Sequence, residues 1–316
     1  MVQRSAARIP PASARVPYWM RASRGRSRPR LAIVSEEEAS PAVRECFEEI
    51  TATLGFPVVN VIFRAFARYP RFLALSWDLL KPNVLTQDLF DKTQVLRRQA
   101  QLVVRENLGV GDHRAVLRMR GSSDDALARI RAALDFVLYC DPFLLLIASA
   151  LQSSLSGHPL PGKPWAHLLP MHTNPTRFQE LKLVEMEEAP PAVQAIYTEM
   201  MQTHGTTFVP TDYRALGRWP ECLSVVWEDW KKRIQGPAYE AGVRQLNELA
   251  LALAQDLPFG FALSPQTLAR AGFTPLQVSD ILATVDFFQG LLPALIVNIT
   301  AFRIGLEGGC RPAPSA

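Results

Sequence analysis

The stretch "FRAFARYPRFLALSWDLLK" at residues 63–81 decides the fold, because the chain contains it twice. Its second copy, "YRALGRWPECLSVVWEDWK", occupies residues 213–231, an offset of 150 positions. Both copies keep two arginines, a proline and a tryptophan at the same places: Arg64 and Arg214, Arg68 and Arg218, Pro70 and Pro220, Trp77 and Trp227. Self-similarity at a fixed offset indicates an internal repeat.

The repeat extends over most of the chain. "EEEASPAVRECFEEI" (36–50) aligns with "MEEAPPAVQAIYTEM" (186–200), and residues 117–142 align with residues 268–293 after the offset grows to 151. Apolar residues recur at helical spacing in each copy, and no alternating pattern of a strand is evident. The sequence therefore predicts an all-α fold: an internally duplicated helical pseudo-dimer with two repeats packed about a pseudo-twofold axis.

Composition shifts divide the chain into five segments. We expect a basic Arg-, Ser- and Pro-rich N-terminal extension at 1–34, helical repeat 1 at 35–151, a Pro- and Gly-rich linker at 152–178, helical repeat 2 at 179–307 and a disordered tail at 308–316. The most apolar segments, 134–151 and 281–302, approach the length of a membrane span, but aspartates and prolines interrupt both. We interpret them as core helices between the repeats and expect no membrane partner.

The charge of the chain is unevenly distributed. The net charge is +4, yet residues 1–34 hold eight arginines and no acid, and removing those eight leaves 26 basic against 30 acidic residues. The body is therefore acidic, and we expect no nucleic-acid partner. An Arg- and Ser-rich extension without acids is typical of a transit peptide, and a plain disordered extension has the same composition. We expect a cytoplasmic protein, with a mitochondrial location as the alternative.

Cysteine and histidine usage gives no sign of a metal site or a redox centre. The four cysteines lie far apart and form no CxxC pair, and the five histidines lack metal-ligand spacing apart from a weak pair, His167 and His172, in the linker. Nucleotide-binding and serine-hydrolase motifs are also absent from the sequence. We expect no cofactor and no metal.

The two copies differ at two acidic positions. Asp212 takes the place of Ile62, and Asp141 takes the place of Leu292. Such differences suggest an asymmetric site. Either aspartate is equally explained as a helix cap: Asp212, or Thr211 beside it, for a helix beginning at Tyr213, and Asp141 for a helix that restarts at the following proline. The two interpretations are compatible.

The sequence resembles the group I DL-2-haloacid dehalogenases, the DehI-type family of the AhpD-like all-α superfamily. The resemblance extends from about residue 36 to residue 306 and is most specific in "HGTTFVPTDYRALGRWP" (204–220), "FPVVNVIFRAFARYPRFLALSW" (56–77) and "DPFLLLIASAL" (141–151). It implies a cofactor-free hydrolase acting on a small 2-halocarboxylic acid. The family's general base falls on Asp212, which would activate a water for attack on the α-carbon with inversion and without an ester intermediate.

The chain departs from this family around the implied site. The family's water-positioning asparagine falls on Asp141, so the resemblance implies two carboxyls beside one water, one of which takes up a proton. Two alternatives follow: a protonated Asp141 donates as the amide would, or the pair indicates a changed reaction. The family's aromatic pocket residues fall on aliphatic ones, which predicts a wider, more apolar cavity and a larger acid. The candidate substrate-binding residues are Val58, Asn60, Val61, Leu144, Pro210 and Thr211.

Several alternatives stay open from the sequence. Arg64 and Arg214 are candidates for holding the substrate carboxylate, although we favour a shared structural salt bridge as the reason that both copies keep an arginine. The expected partner is a small carboxylic acid, and a homodimer is a further expectation. The competing function is a non-catalytic ligand-binding or interaction protein on the same duplicated scaffold.

Overall fold

The computed structural model of the protein describes residues 31–163, 181–234 and 236–312, so the N-terminal extension and most of the predicted linker lie outside it. The described residues form helices joined by short loops and no strand beyond two isolated β-bridges. The first half contains α1 (Pro41–Leu54), α2 (Val61–Phe66), α3 (Pro70–Val84), α4 (Gln87–Leu102), α5 (His113–Met119) and α6 (Asp124–Leu155). The second half contains α7 (Pro191–His204), α8 (Thr211–Leu216), α9 (Pro220–Trp230), α10 (Pro237–Gln255), α11 (Pro265–Arg270) and α12 (Pro275–Gly305). The predicted all-α class is confirmed.

The two halves present their helices in the same order. Each helix of the second half begins 150 to 152 residues after its counterpart in the first. Their ends are also alike: α1 and α7 both stop at a glycine with positive φ, Gly55 at 68° and Gly205 at 67°. A left-handed residue at this position favours glycine, because a Cβ there would be strained. These matches are the arrangement expected of a duplicated chain.

The long helices α6 and α12 form the centre of the molecule and pack against each other. Each contains an internal proline, Pro142 and Pro293, and each continues through it. An internal proline costs about 3 kcal/mol in an exposed helix, because it removes a hydrogen bond and crowds the preceding turn. Here the surrounding residues are almost all buried, so packing holds the helix together.

This continuity corrects the capping interpretation of Asp141. The helix does not restart at Pro142. It begins at Asp124, where Ser123 caps it by accepting a hydrogen bond from the backbone N–H of Ala126 at 3.2 Å. Asp141 therefore lies in the middle of α6, where its carboxyl has no helix end to stabilise.

Two predicted boundaries also differ from the observed structure. Helix α6 continues to Leu155, into the segment predicted as linker. At the other end, Cys310 falls in the predicted disordered tail but exchanges two backbone hydrogen bonds of 2.9 Å with Val110. Pairing with the loop before α5 holds this part of the tail in place.

Helices α6 and α12 are long and apolar enough to span a membrane by length and composition alone. Within the fold, however, 94% of the most apolar window of α6 and 72% of that of α12 are buried. Burial on this scale is typical of the core helices of a globular protein, which are apolar all round for the same reason.

Candidate active site

A small cavity lies where the first turns of α2 and α8 meet the middle of α6 and α12. Its walls are Asn60, Val61, Ile62, Asp141, Leu144, Phe208, Pro210, Thr211, Asp212, Phe288, Leu291, Leu292 and Leu295. Ten of these residues form five pairs that the alignment of the two halves matches, among them Ile62 with Asp212 and Leu292 with Asp141. A cavity built from both members of each pair spans the two halves, and its two aspartates make it chemically asymmetric.

Seven of the eight sequence-predicted site residues line this cavity. Val58 does not: it is half-buried outside the cavity. Its counterpart in the second half, Phe208, lines the cavity instead. The expectation of a wide pocket is also wrong for this conformation, because Phe208, Phe288 and a row of leucines fill the space that aliphatic residues were expected to leave. Only about 20 Å³ stays open to the centre of a water molecule.

Asp212 reaches the cavity from the first turn of α8. The helix begins at Thr211, after Pro210, and neither Thr211 nor Asp212 caps it with its side chain. The expectation of a cap at Thr211 or Asp212 is therefore wrong, because the rigid Pro210 occupies that position. The side chain of Asp212 is 4% exposed and is thus held inside the protein.

Asp141 and Asp212 form a hydrogen-bonded carboxyl pair inside the protein. Asp141 is 3% exposed. Burial raises the pKa of Asp141 well above its ordinary value, and the negative charge of Asp212 raises it further. Burial also raises the pKa of Asp212, but hydrogen bonds from Asp141 and from its own backbone N–H act in the opposite direction. The proton therefore belongs to Asp141, which donates to an ionised Asp212.

Each carboxyl keeps one buried oxygen without a partner among the described residues, Oδ2 of Asp141 and Oδ1 of Asp212. A buried oxygen that is left unpaired is costly, so such atoms commonly mark a position for water or ligand. About 20 Å³ of the cavity is open to the centre of a water molecule, and one water needs roughly 10–15 Å³ on the same measure. The site can therefore hold a water against an ionised carboxylate.

An arginine stands behind the cavity wall. Arg214 is buried and donates through Nη1 to both carboxylate oxygens of Glu185, at 2.6 and 2.8 Å. Its Nη2 donates to the hydroxyl of Thr211 at 3.2 Å. The shared salt-bridge interpretation thus holds for Arg214 but not for Arg64, whose Nε donates to the backbone carbonyl of Val34 at 3.0 Å.

Sequence reasoning missed a polar network packed beneath α8. His204 Nε2 lies 2.8 Å from the Tyr213 hydroxyl, and Asn298 Nδ2 donates to that hydroxyl at 2.9 Å. Asn298 Oδ1 in turn accepts from Trp230 at 2.7 Å and from Tyr239 at 2.8 Å. The residues that replace these five in the first half are all apolar: Leu54, Phe63, Leu80, Leu89 and Ile147. Comparison of the two halves at these positions would have revealed the network.

No group of three or more His, Cys, Asp or Glu side chains converges within the described ranges. The histidine pair of the linker, His167 and His172, lies outside those ranges. His204 is committed to the network beneath α8, and burial lowers its pKa to about 4. The imidazole is therefore neutral in the network.

Comparisons with known proteins agree with this architecture. Residues 57–210 match the model of a family described as "Halocarboxylic acid dehydrogenase DehI". A protein from Pseudomonas putida named "(R)-2-haloacid dehalogenase" is 28% identical over 279 residues, which cover 85% of this chain and 91% of the relative. A configuration-inverting 2-haloacid dehalogenase from Alcaligenes xylosoxydans xylosoxydans is 24% identical over 287 residues, covering 87% and 93%.

Solved structures extend the likeness to three dimensions. The crystal structure of a D-2-haloacid dehalogenase mutant superposes with a TM-score of 0.81 at 27% identity, covering 89% of this chain and 99% of that one. A complex of such a mutant with D-2-CPA superposes with a TM-score of 0.78 at 28% identity and the same coverage. The family model, the curated relatives and the solved structures together support a place for the chain in the DehI-type family of 2-haloacid dehalogenases.

Proposed function

We propose that the protein hydrolyses the carbon–halogen bond of a small 2-halocarboxylic acid, with Asp212 as general base and without a cofactor. The observation that carries this proposal is the buried carboxyl pair, in which a protonated Asp141 donates to an ionised Asp212 inside an otherwise apolar cavity. The names of the relatives supply the substrate class, and the site supplies the chemistry.

Asp212 takes the proton of the attacking water. Its raised pKa brings the carboxylate closer to the proton affinity that a base needs near neutral pH. Oδ1, which has no partner among the described residues, accepts a hydrogen bond from the water. As the water oxygen bonds to the α-carbon, its proton passes to Asp212 and the halide leaves with the electron pair of the broken bond. Attack from the side opposite the halide inverts the α-carbon.

Asp141 stands where the family has a water-positioning asparagine. Its single O–H is donated to Asp212, so it contacts the water through Oδ2, an acceptor without a partner among the described residues. A protonated carboxyl carries one O–H donor and further acceptor capacity, so it offers a donor as an amide would. Its hydrogen bond orients the carboxylate of Asp212. The replacement of asparagine by aspartate thus still allows Asp212 to activate the water while Asp141 is protonated. Hydrolysis should be lost at alkaline pH, where Asp141 gives up that proton.

Substrate entry requires the walls to move. Space for one water does not accommodate a haloacid, and binding pockets for small molecules are usually about 300 Å³ or larger. Phe208 is only half-buried and forms one wall, so it is the side chain best placed to swing aside. Once the acid is bound, the leucines and phenylalanines of the walls exclude bulk water from the reacting atoms.

Halide release tests the proposal. Purified protein is incubated with both enantiomers of 2-chloro and 2-bromo acids of two to six carbons, and free halide is measured. We expect turnover of at least one acid, with Asp212→Asn lowering it by about 10²–10⁴-fold, the usual contribution of a general base. Asp78→Asn, which changes an exposed aspartate of α3, is the matched control.

The opposite result is equally clear. No halide release from any acid, with binding of the acids intact in the unmodified protein and in Asp212→Asn, would assign the chain to the non-catalytic, ligand-binding class. The predicted homodimer is a separate proposal, and a mass measurement in solution tests it.

A further inference from the structure

A second, larger pocket opens on the surface beside the cavity. Its lining is Ile33, Val61, Arg64, Glu185, Met186, Glu187, Met201, Thr207, Phe208, Val209 and Arg214. The space open to the centre of a water molecule is about 290 Å³, compared with about 20 Å³ in the cavity. Val61 and Phe208 line both spaces, so they form the wall between them. We call the larger space the outer pocket.

The outer pocket contains two arginines that occupy equivalent positions in the two halves. The backbone carbonyl of each accepts a hydrogen bond of 3.1 Å, Arg64 from Val34 and Arg214 from Val184. Val34 and Val184 are also equivalent, at an offset of 150. The two backbones are thus held alike, and the difference between the arginines lies in their side chains.

Within the described part of the chain, only one of the two arginines has a carboxylate partner. Arg214 is paired with Glu185, but the residue equivalent to Glu185 in the first half is Ser35. Ser35 binds Glu38 through its hydroxyl at 2.9 Å. Among the described residues, no carboxylate lies within 4 Å of the Arg64 guanidinium, whose Nε alone is hydrogen-bonded.

The surroundings of Arg64 disfavour the positive charge of its guanidinium. The guanidinium of Arg64 is more than half-buried, and this burial lowers its pKa. The nearby positive charge of Arg214 lowers the pKa further. The carboxylates of Glu36, Glu185 and Glu38 raise it, but each has a weaker effect. Of the two carboxylates in the outer pocket, Glu185 is committed to Arg214 and Glu187 is exposed. An exposed carboxylate is screened by water and salt, so it opposes an incoming anion weakly.

We propose that the outer pocket is a docking site for the substrate, in which Arg64 binds the carboxylate of the 2-halo acid through Nη1 and Nη2, which have no hydrogen-bond partner among the described residues. This inference rests on the proposed function for the identity of the acid. An arginine forms two parallel hydrogen bonds with a carboxylate, and the planar fork fits this group better than it fits a spherical halide. From Arg64, the acid reaches Asp212 by passing the wall of Val61 and Phe208.

Binding to protein that cannot turn over tests the docking site. The Asp212→Asn variant is titrated with 2-chloropropionate by calorimetry, alone and combined with Arg64→Gln or Ser35→Glu. Ser35→Glu installs the missing carboxylate and blocks the site from within. We expect either change to weaken binding at least about ten-fold, equivalent to about 1.4 kcal/mol. Arg68→Gln, which removes an exposed arginine from the same segment, is the matched control and should bind as before.

Competition identifies the group that Arg64 recognises. Propionate should displace 2-chloropropionate, and chloride at the same concentration should not. The reverse order would overturn the proposal, because it would make the outer pocket a halide site. Unchanged affinity in both Arg64→Gln and Ser35→Glu would overturn it as well. In protein with Asp212 intact, the same changes should raise KM for 2-chloropropionate about ten-fold and leave kcat within about two-fold.

The docking site and the proposed function fail in different ways. Arg64-dependent binding of 2-chloropropionate without halide release from the unmodified protein would support docking and refute hydrolysis. Halide release that is indifferent to Arg64 and Ser35 would support hydrolysis and refute docking.

Discussion

Replacing Asp141 with asparagine should stabilise the protein, and the gain should depend on pH in a defined way. An aspartate of ordinary pKa is ionised at pH 7 in the unfolded chain, whereas burial and the charge of Asp212 hold a proton on Asp141 in the folded protein. Taking up that proton costs about 1.4 kcal/mol per pH unit above the ordinary pKa, or about 4 kcal/mol at pH 7. An amide is neutral at every pH and avoids this cost.

The direction of this pH dependence follows from the linkage between proton binding and folding. The folded-state pKa of Asp141 is raised, so its favourable contribution is complete below the unfolded pKa, near pH 4, and is lost as the pH rises towards the folded value. The difference in unfolding free energy between Asp141→Asn and the unmodified protein should therefore be near zero at pH 4. It should grow to about 2–4 kcal/mol at pH 7, less than the full cost because the amide brings a second N–H that needs a partner.

Urea unfolding at pH 4, 5.5 and 7, followed by circular dichroism, measures this difference, with Asp78→Asn as the control for loss of an exposed carboxyl. A gain that is the same at all three pH values, or a loss that grows with pH, would refute the protonated state of Asp141. It would show that this carboxyl is ionised in the folded protein, and Asp212 would then lack its donor.

Three further outcomes follow from the structure. Turnover should rise with pH as Asp212 ionises and fall again as Asp141 loses its proton. In Asp141→Asn, the pH–rate profile should keep the rise and lose the fall. A fall that is retained in this variant would show that another group causes it. Asn298→Ile copies the first half but leaves the indole N–H of Trp230 without its acceptor, so urea unfolding should show a loss of about 1–3 kcal/mol; an unchanged midpoint would contradict the network. Phe208→Val, again copying the first half, should increase kcat/KM several-fold for six-carbon over three-carbon acids, and an unaltered ratio would show that Phe208 is not the gate.

The fold could be predicted from the sequence because the internal repeat presents each helical pattern twice. Each apolar stripe and each terminating glycine, such as Gly55 and Gly205, appears twice in register. Asp141 and Asp212 could be predicted as site residues because the two halves differ there: each is an acid whose counterpart in the other half is apolar. Their common cavity follows from the packing of α6 and α12, which bring both halves to one point.

The parts that the sequence did not reveal depend on tertiary contacts. Pro142 ordinarily predicts a helix boundary, but burial on all sides overrides that local preference. Val58 predicted an enlarged cavity, yet the space is filled from the other half of the chain by Phe208. The missing partner of Arg64 becomes visible only when the ion pair of Arg214 is seen, because arginine itself is retained in both copies.

A single turnover in H₂¹⁸O tests most directly whether Asp212 acts as base. Enzyme in excess over a 2-halo acid is allowed to react once, and the hydroxy acid and the peptide containing Asp212 are analysed by mass spectrometry. Attack by an activated water predicts ¹⁸O in the product hydroxyl on the first turnover and an unlabelled Asp212. An unlabelled product together with ¹⁸O in the Asp212 carboxyl would show that the aspartate itself attacks the substrate.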